Sequence, residues 1–106
     1  MSSWVAYDDG RSIGAVSSEG GVILRDDEHP AGARITLKRG NKYVLVSCNL
    51  YGKMDHTRFF VTVSEAQREY NAMKSAINDV INAIELAGSK ELKVWEAISE
   101  FVRRFP

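Results

Sequence analysis

The sequence predicts an α+β fold: an antiparallel meander of about five strands, packed on one face by a long C-terminal helix and followed by a second, shorter helix. Three observations carry this. Short runs rich in β-branched and aromatic residues alternate with turn residues up to Val63. At Ser64-Glu65-Ala66-Gln67 the chain has the S-x-x-Q form of a helix capping box. Beyond it, apolar residues recur every three or four positions, the period of a helix and not of a strand. Strands followed by helices favour α+β over alternating βαβ units. Connections this short favour antiparallel neighbours, since parallel strands need crossovers of roughly a dozen residues.

Trp4 to Tyr7 is a short apolar run closed by the turn residues Asp8-Asp9-Gly10. Ile13 to Val16 is a weak strand interrupted by Gly14, and residues 17–21 form a turn around two glycines. Val22 to Arg25 is a strand that the stretch RDDEHPAG, residues 25–32, is expected to end. Pro30 cannot donate to a sheet ladder. Ala33 to Lys38 alternates, with Ala33, Ile35 and Leu37 on one face. Arg39-Gly40-Asn41 turns the chain into the strongest strand, Tyr43 to Leu50. A loop over Tyr51 to His56 then leads to a last strand, Thr57 to Val63. The predicted core face is Ala33, Ile35, Leu37, Val44, Val46, Cys48, Leu50, Phe59, Val61 and Val63.

In the helical half, Ala66, Tyr70, Met73, Ile77, Val80, Ile84 and Ala87 form one stripe, and Gly88 stops the helix. Ser89 caps a second helix with Leu92, Trp95, Ile98, Phe101, Val102 and Phe105 on one side. Packing of the stripe on the sheet is the expectation. Its three-four spacing over about three heptads also meets the minimum for pairing between chains.

A length of 106 residues fits one domain, residues 1–106, strand-rich over 1–63 and helical over 64–106. No apolar run reaches the ~18 residues of a membrane span. The first residues lack a basic segment followed by an apolar one, so no secretory signal is expected. The single cysteine excludes an internal disulfide and a cysteine-based zinc cage. These readings together favour the cytoplasm. The net charge is zero, but residues 1–30 carry two basic and six acidic groups, and residues 31–62 six basic and one acidic. Such asymmetry marks either a partner surface or neighbouring strands that complement one another.

Three clusters bear on function. Cys48 is a nucleophile only if a base and solvent reach it, and its parity places it in the core. Asp26, Asp27, Glu28 and His29 lie in one expected loop, Asp55 and His56 in another. In a meander both loops fall at the same end of the sheet, so the six residues are expected to share a rim. No HExxH, paired-cysteine, calcium-loop or phosphate-loop pattern is present, and no metal or cofactor is expected. The outward face is expected to carry Arg34, Thr36, Lys38, Tyr43, Leu45, Ser47, Asn49, Tyr51, Arg58, Phe60 and Thr62. Tyr43, Leu45, Tyr51 and Phe60 there suit a homo-oligomer or another protein partner. The leading reading is a small binding or protein-interaction module, self-associating and without catalysis of its own. The alternative is a small enzyme or metal-binding protein using the loops around His29 and His56. Third is a binder of single-stranded nucleic acid on the basic and aromatic outer face.

Overall fold

The computed structural model describes residues 3–17 and 20–106; Ser18 and Glu19 of the expected turn at 17–21 lie outside the described residues. Five strands form one antiparallel sheet in the order β1-β2-β3-β4-β5, where β1 is Val5–Ala6, β2 Val22–His29, β3 Ala33–Arg39, β4 Val44–Leu50 and β5 Met54–Phe60. Helix α1, Val63–Ala87, follows, and then α2, Glu91–Arg104. This is the predicted meander, with the long helix on one face and the shorter helix after it.

The central hairpin follows its alternation. Ile35 pairs with Cys48 and Leu37 with Val46, and all four are buried under α1 with Ala33, Val44 and Leu50. From α1, Ala66, Tyr70, Met73, Ala76, Ile77, Val80 and Ile81 complete this core. The stripe is therefore used within the chain, against the sheet.

Several details depart from expectation. Residues 13–16 form no strand beyond the Val16 bridge, and the N-cap of α2 is Lys90, not Ser89. Three more concern the sheet and α1. First, RDDEH does not end β2; the strand runs through His29, and only residues 30–32 turn. Gly32, at φ 98°, supplies the left-handed residue of that turn. Second, β5 begins at Met54, because the loop before it takes only residues 51–53. That shorter loop shifts the phase of the strand by one residue. Phe60 faces the core at 6% exposure, and Phe59 is 63% exposed on the other side. The expected interface position Phe60 is thus a core residue, and the expected core residues Phe59, Val61 and Val63 are exposed. A slip of one position exchanges the two faces of a strand. Third, the N-cap of α1 is Thr62, whose hydroxyl accepts from the Glu65 N–H at 3.2 Å. Ser64 lies in the first turn instead.

The N-terminal arm covers the β2 edge. Val5 pairs with Glu28 and Ala6 with Asp27. A 3₁₀ turn over Tyr7–Gly10 follows, in which Asp8 and Asp9 take left-handed φ values of 50° and 54°. The chain then returns along β2, where Val16 bridges Val22. On the other side of the molecule α2 lies beside α1, with Ile98, Phe101 and Phe105 buried. Leu92, Trp95 and Val102, expected on the same side, remain exposed. No described helix is long and apolar enough to cross a membrane.

Candidate functional site

Because RDDEH is a strand, its side chains alternate between the two faces of the sheet. Asp27 pairs in register with Ile35 and so faces α1. Its Oδ2 accepts from the Tyr70 hydroxyl at 2.6 Å and from Lys74 Nζ at 3.2 Å. Arg25, on the same face, stacks on the Tyr70 ring at 4.5 Å and donates to the Asn71 side chain at 3.0 Å. Burial, and next the hydrogen bond to Asp27, raise the Tyr70 pKa, so the phenol stays protonated and acts as a donor. This cluster ties the β2 edge to the middle of α1.

Asp26 pairs with Thr36 and faces the other way. Its carboxylate is buried and receives both Arg34 Nε at 2.9 Å and Arg34 Nη2 at 2.7 Å, with the Thr36 hydroxyl at 3.0 Å. The Tyr7 ring lies 3.5 Å from the Arg34 guanidinium carbon. The hydrogen bond to Asp26 raises the Arg34 pKa. Glu28 shares this outer side, opposite Arg34.

His29 returns to the inner side. Its Nδ1 accepts from the Ala31 N–H at 3.0 Å, and its ring packs edge-on to Trp4 at 5.3 Å. His56 also faces inward, three strands away, where it donates from Nε2 to the Phe105 carbonyl and packs on Phe101. In the register, Asp27 and His56 are level, but the buried Ile35 and Cys48 stand between them. Asp55 is exposed on the outer face, opposite Asn49.

The six expected rim residues therefore occupy one half of the sheet but not one site. Asp27, His29 and His56 lie on the inner face; Asp26, Glu28 and Asp55 lie on the outer. Among the described residues no group of three or more His, Cys, Asp and Glu can hold a metal ion. Cys48 lies opposite His56 on the inner face, but the imidazole Nε2 is committed to Phe105. Burial pushes the Cys48 thiol up to about 12. It is protonated at neutral pH, the opposite of what thiolate chemistry requires.

Two uncovered surfaces carry apolar groups. On the outer face Tyr43 packs edge-on to Phe59 at 5.2 Å, and Leu45 pairs with Phe59 in register. Tyr43, Phe59 and Val61 are exposed and Leu45 is half-buried. Tyr51, expected in the same patch, is exposed at the far end of β4, beyond Ser47 and Asn49. Lys38 stands opposite Leu45, and Lys42 is exposed in the adjoining turn. A second surface is a groove of about 280 Å³ between the β4–β5 turn and the helices, lined by Lys53, Ile84, Glu91, Val94, Trp95 and Ile98.

No protein-family model, curated protein or solved structure matches this chain. The functional reading therefore rests on these surfaces. Sequence reasoning missed Tyr70 and Lys74 as partners of Asp27, and Tyr7 as the ring over Arg34. Tyr70 and Lys74 stand four apart, the spacing that brings two side chains to one face of a helix. Nothing local, however, points that face at Asp27.

Proposed function

We propose that this chain is a protein-interaction module that self-associates through the outer sheet face, with Tyr43, Leu45, Phe59 and Val61 at the contact. The observation that carries the reading is the exposed Tyr43–Phe59 pair beside Leu45, on the face that α1 leaves uncovered. Contiguous apolar surface of this kind is a recurrent mark of association sites. Tyr51 and Phe60, named with this patch from the sequence, do not belong to it: one is remote and the other is buried. The enzyme or metal reading draws less support, because its carboxylates and histidines are divided between two faces.

Analytical ultracentrifugation at micromolar concentration tests the proposal. The expected result is a dimer or larger species, reduced in mass by Leu45→Arg and by Phe59→Arg without loss of helical signal. A monomer at all concentrations, or an unchanged mass in both variants, would overturn it. Lys38 and Lys42 beside Tyr43 and Phe59 support a second reading, single-stranded nucleic acid stacked on the rings with phosphates on the lysines. Its test is retention on single-stranded DNA that falls with salt.

A further inference from the structure

The two edges of the sheet are treated differently. The N-terminal arm lies along β2, whereas β5 pairs with β4 on one side and has no strand on the other among the described residues. The direction of its free amides follows from the ladder. Gly40 N–H bonds to Tyr43 O and Tyr51 N–H to Gly32 O, both at 2.9 Å. Hydrogen-bonded and non-bonded pairs alternate between these ends, so Tyr43, Leu45, Ser47, Asn49 and Tyr51 bond toward β3. Val44, Val46, Cys48 and Leu50 then bond toward β5, through Phe60, Arg58, His56 and Met54. The N–H and C=O groups of Asp55, Thr57 and Phe59 are left pointing outward from the sheet.

Natural edges are commonly shielded by a bulge, a proline, charged side chains or a covering segment. Met54–Phe60 has no proline or lysine and keeps one register with β4. Its charges are Asp55 on the outer face and Arg58 on the inner. Arg58 is held by Glu69 and the Pro106 carbonyl, which leaves the outward amides themselves uncovered. Apolar groups flank this edge on both sides. Phe59 is exposed on the outer face. On the inner side, Phe101 of α2 and its C-cap Phe105 pack against His56 of β5. Trp95 of α2 is exposed and lines the groove with Ile84 of α1 and Lys53 of the β4–β5 turn.

We propose that β5 pairs antiparallel with β5 of a second copy, joining two sheets into one of ten strands (twice the five of each chain). A two-fold axis at Thr57 sets Thr57 against Thr57 and Asp55 against Phe59, and every outward amide of these three residues gains a partner. An axis at Asp55 or at Arg58 would set like charges opposite each other, which is unfavourable across strands. Covering the exposed parts of Phe59 and Trp95, at 63% and 55%, removes roughly 250 Å². That is about a third of the ~800 Å² per partner in a standard interface. The seven-residue strand edge supplies further area. This contact uses the strand edge and the outer-face contact uses the flat of the sheet; they adjoin at Phe59, and the two together build assemblies larger than a dimer.

The test combines sedimentation with amide exchange. Thr57→Pro removes an outward N–H while leaving the ladder to β4 intact, and Thr57→Lys sets two like charges against each other at the axis. In the Leu45→Arg background, which removes the outer-face contact, the expected species is a dimer. Either Thr57 substitution should convert it to a monomer with unchanged circular dichroism. In the same background, amides of Asp55, Thr57 and Phe59 should exchange at least about tenfold more slowly at high than at low protein concentration. A monomeric Leu45→Arg protein, Thr57 variants that stay dimeric, or equally fast exchange at both concentrations would overturn the edge pairing. An unchanged mass on Leu45→Arg alone counts instead against the outer-face contact.

Discussion

Asp26→Asn separates the two readings of the acidic stretch. As a solvated loop carboxylate, residue 26 would tolerate amidation with a change within about 0.5 kcal/mol. In the fold its carboxylate is buried and takes two bonds from Arg34 and one from Thr36. Asparagine preserves the shape and one acceptor oxygen, but it places an amide donor against the guanidinium, which is also a donor. Removing one member of a buried ion pair typically costs about 3–5 kcal/mol, because the other charge stays behind. The Arg34 side chain is 29% exposed and partly solvated, which lowers the expectation to roughly 2–3 kcal/mol. With a urea slope of about 1–1.5 kcal/mol per molar, the unfolding midpoint should fall by roughly 1.3–3 M. A double substitution to similar-sized apolar residues, Asp26→Leu with Arg34→Met, should recover most of the loss. A midpoint shift for Asp26→Asn below about 0.4 M would refute the reasoning and return the residue to solvent.

Three further outcomes are expected. Thr62→Ala should cost about 0.5–2 kcal/mol in denaturant titration and Ser64→Ala clearly less, because the cap lies at Thr62; the reverse order would move the helix start. Phe60→Ala should cost about 3–5 kcal/mol as a core truncation, and Phe59→Ala under about 1.5 kcal/mol, its loss limited to the ring contact with Tyr43. Stability should also fall in alkali. The folded Cys48 value, about 12, lies above the ordinary thiol value near 8.5, so the folded chain holds the proton more tightly. Its contribution is complete below about pH 8.5 and is lost at about 1.4 kcal/mol per pH unit above it. Tyr70, also raised, adds a second loss above about pH 10. Thermal melts of Cys48→Ala should therefore stay level up to about pH 10, and an onset identical to wild type would argue against the thiol.

The order of elements was legible in the residues alone. Period-two alternation in residues 33–50 placed Ile35, Leu37, Val46 and Cys48 in the core, because side chains on a strand have only two directions. Short turns forced a meander. The stripe through Tyr70, Met73 and Ile77 placed α1 on the sheet, and Gly88 ended it. Tertiary structure alone decided the phase of β5. That phase depends on whether the preceding loop ends at Lys53 or at His56, a choice made by pairing Met54 with Leu50. It also decided the fate of RDDEH. Three consecutive acidic residues read as loop when only their hydration is weighed. They form a strand because Asp26 meets Arg34 and Thr36 on one face, and Asp27 meets Tyr70 and Lys74 on the other. Burial of a carboxylate becomes affordable only when its partners arrive together, and Tyr70 and Lys74 lie more than forty residues along the chain.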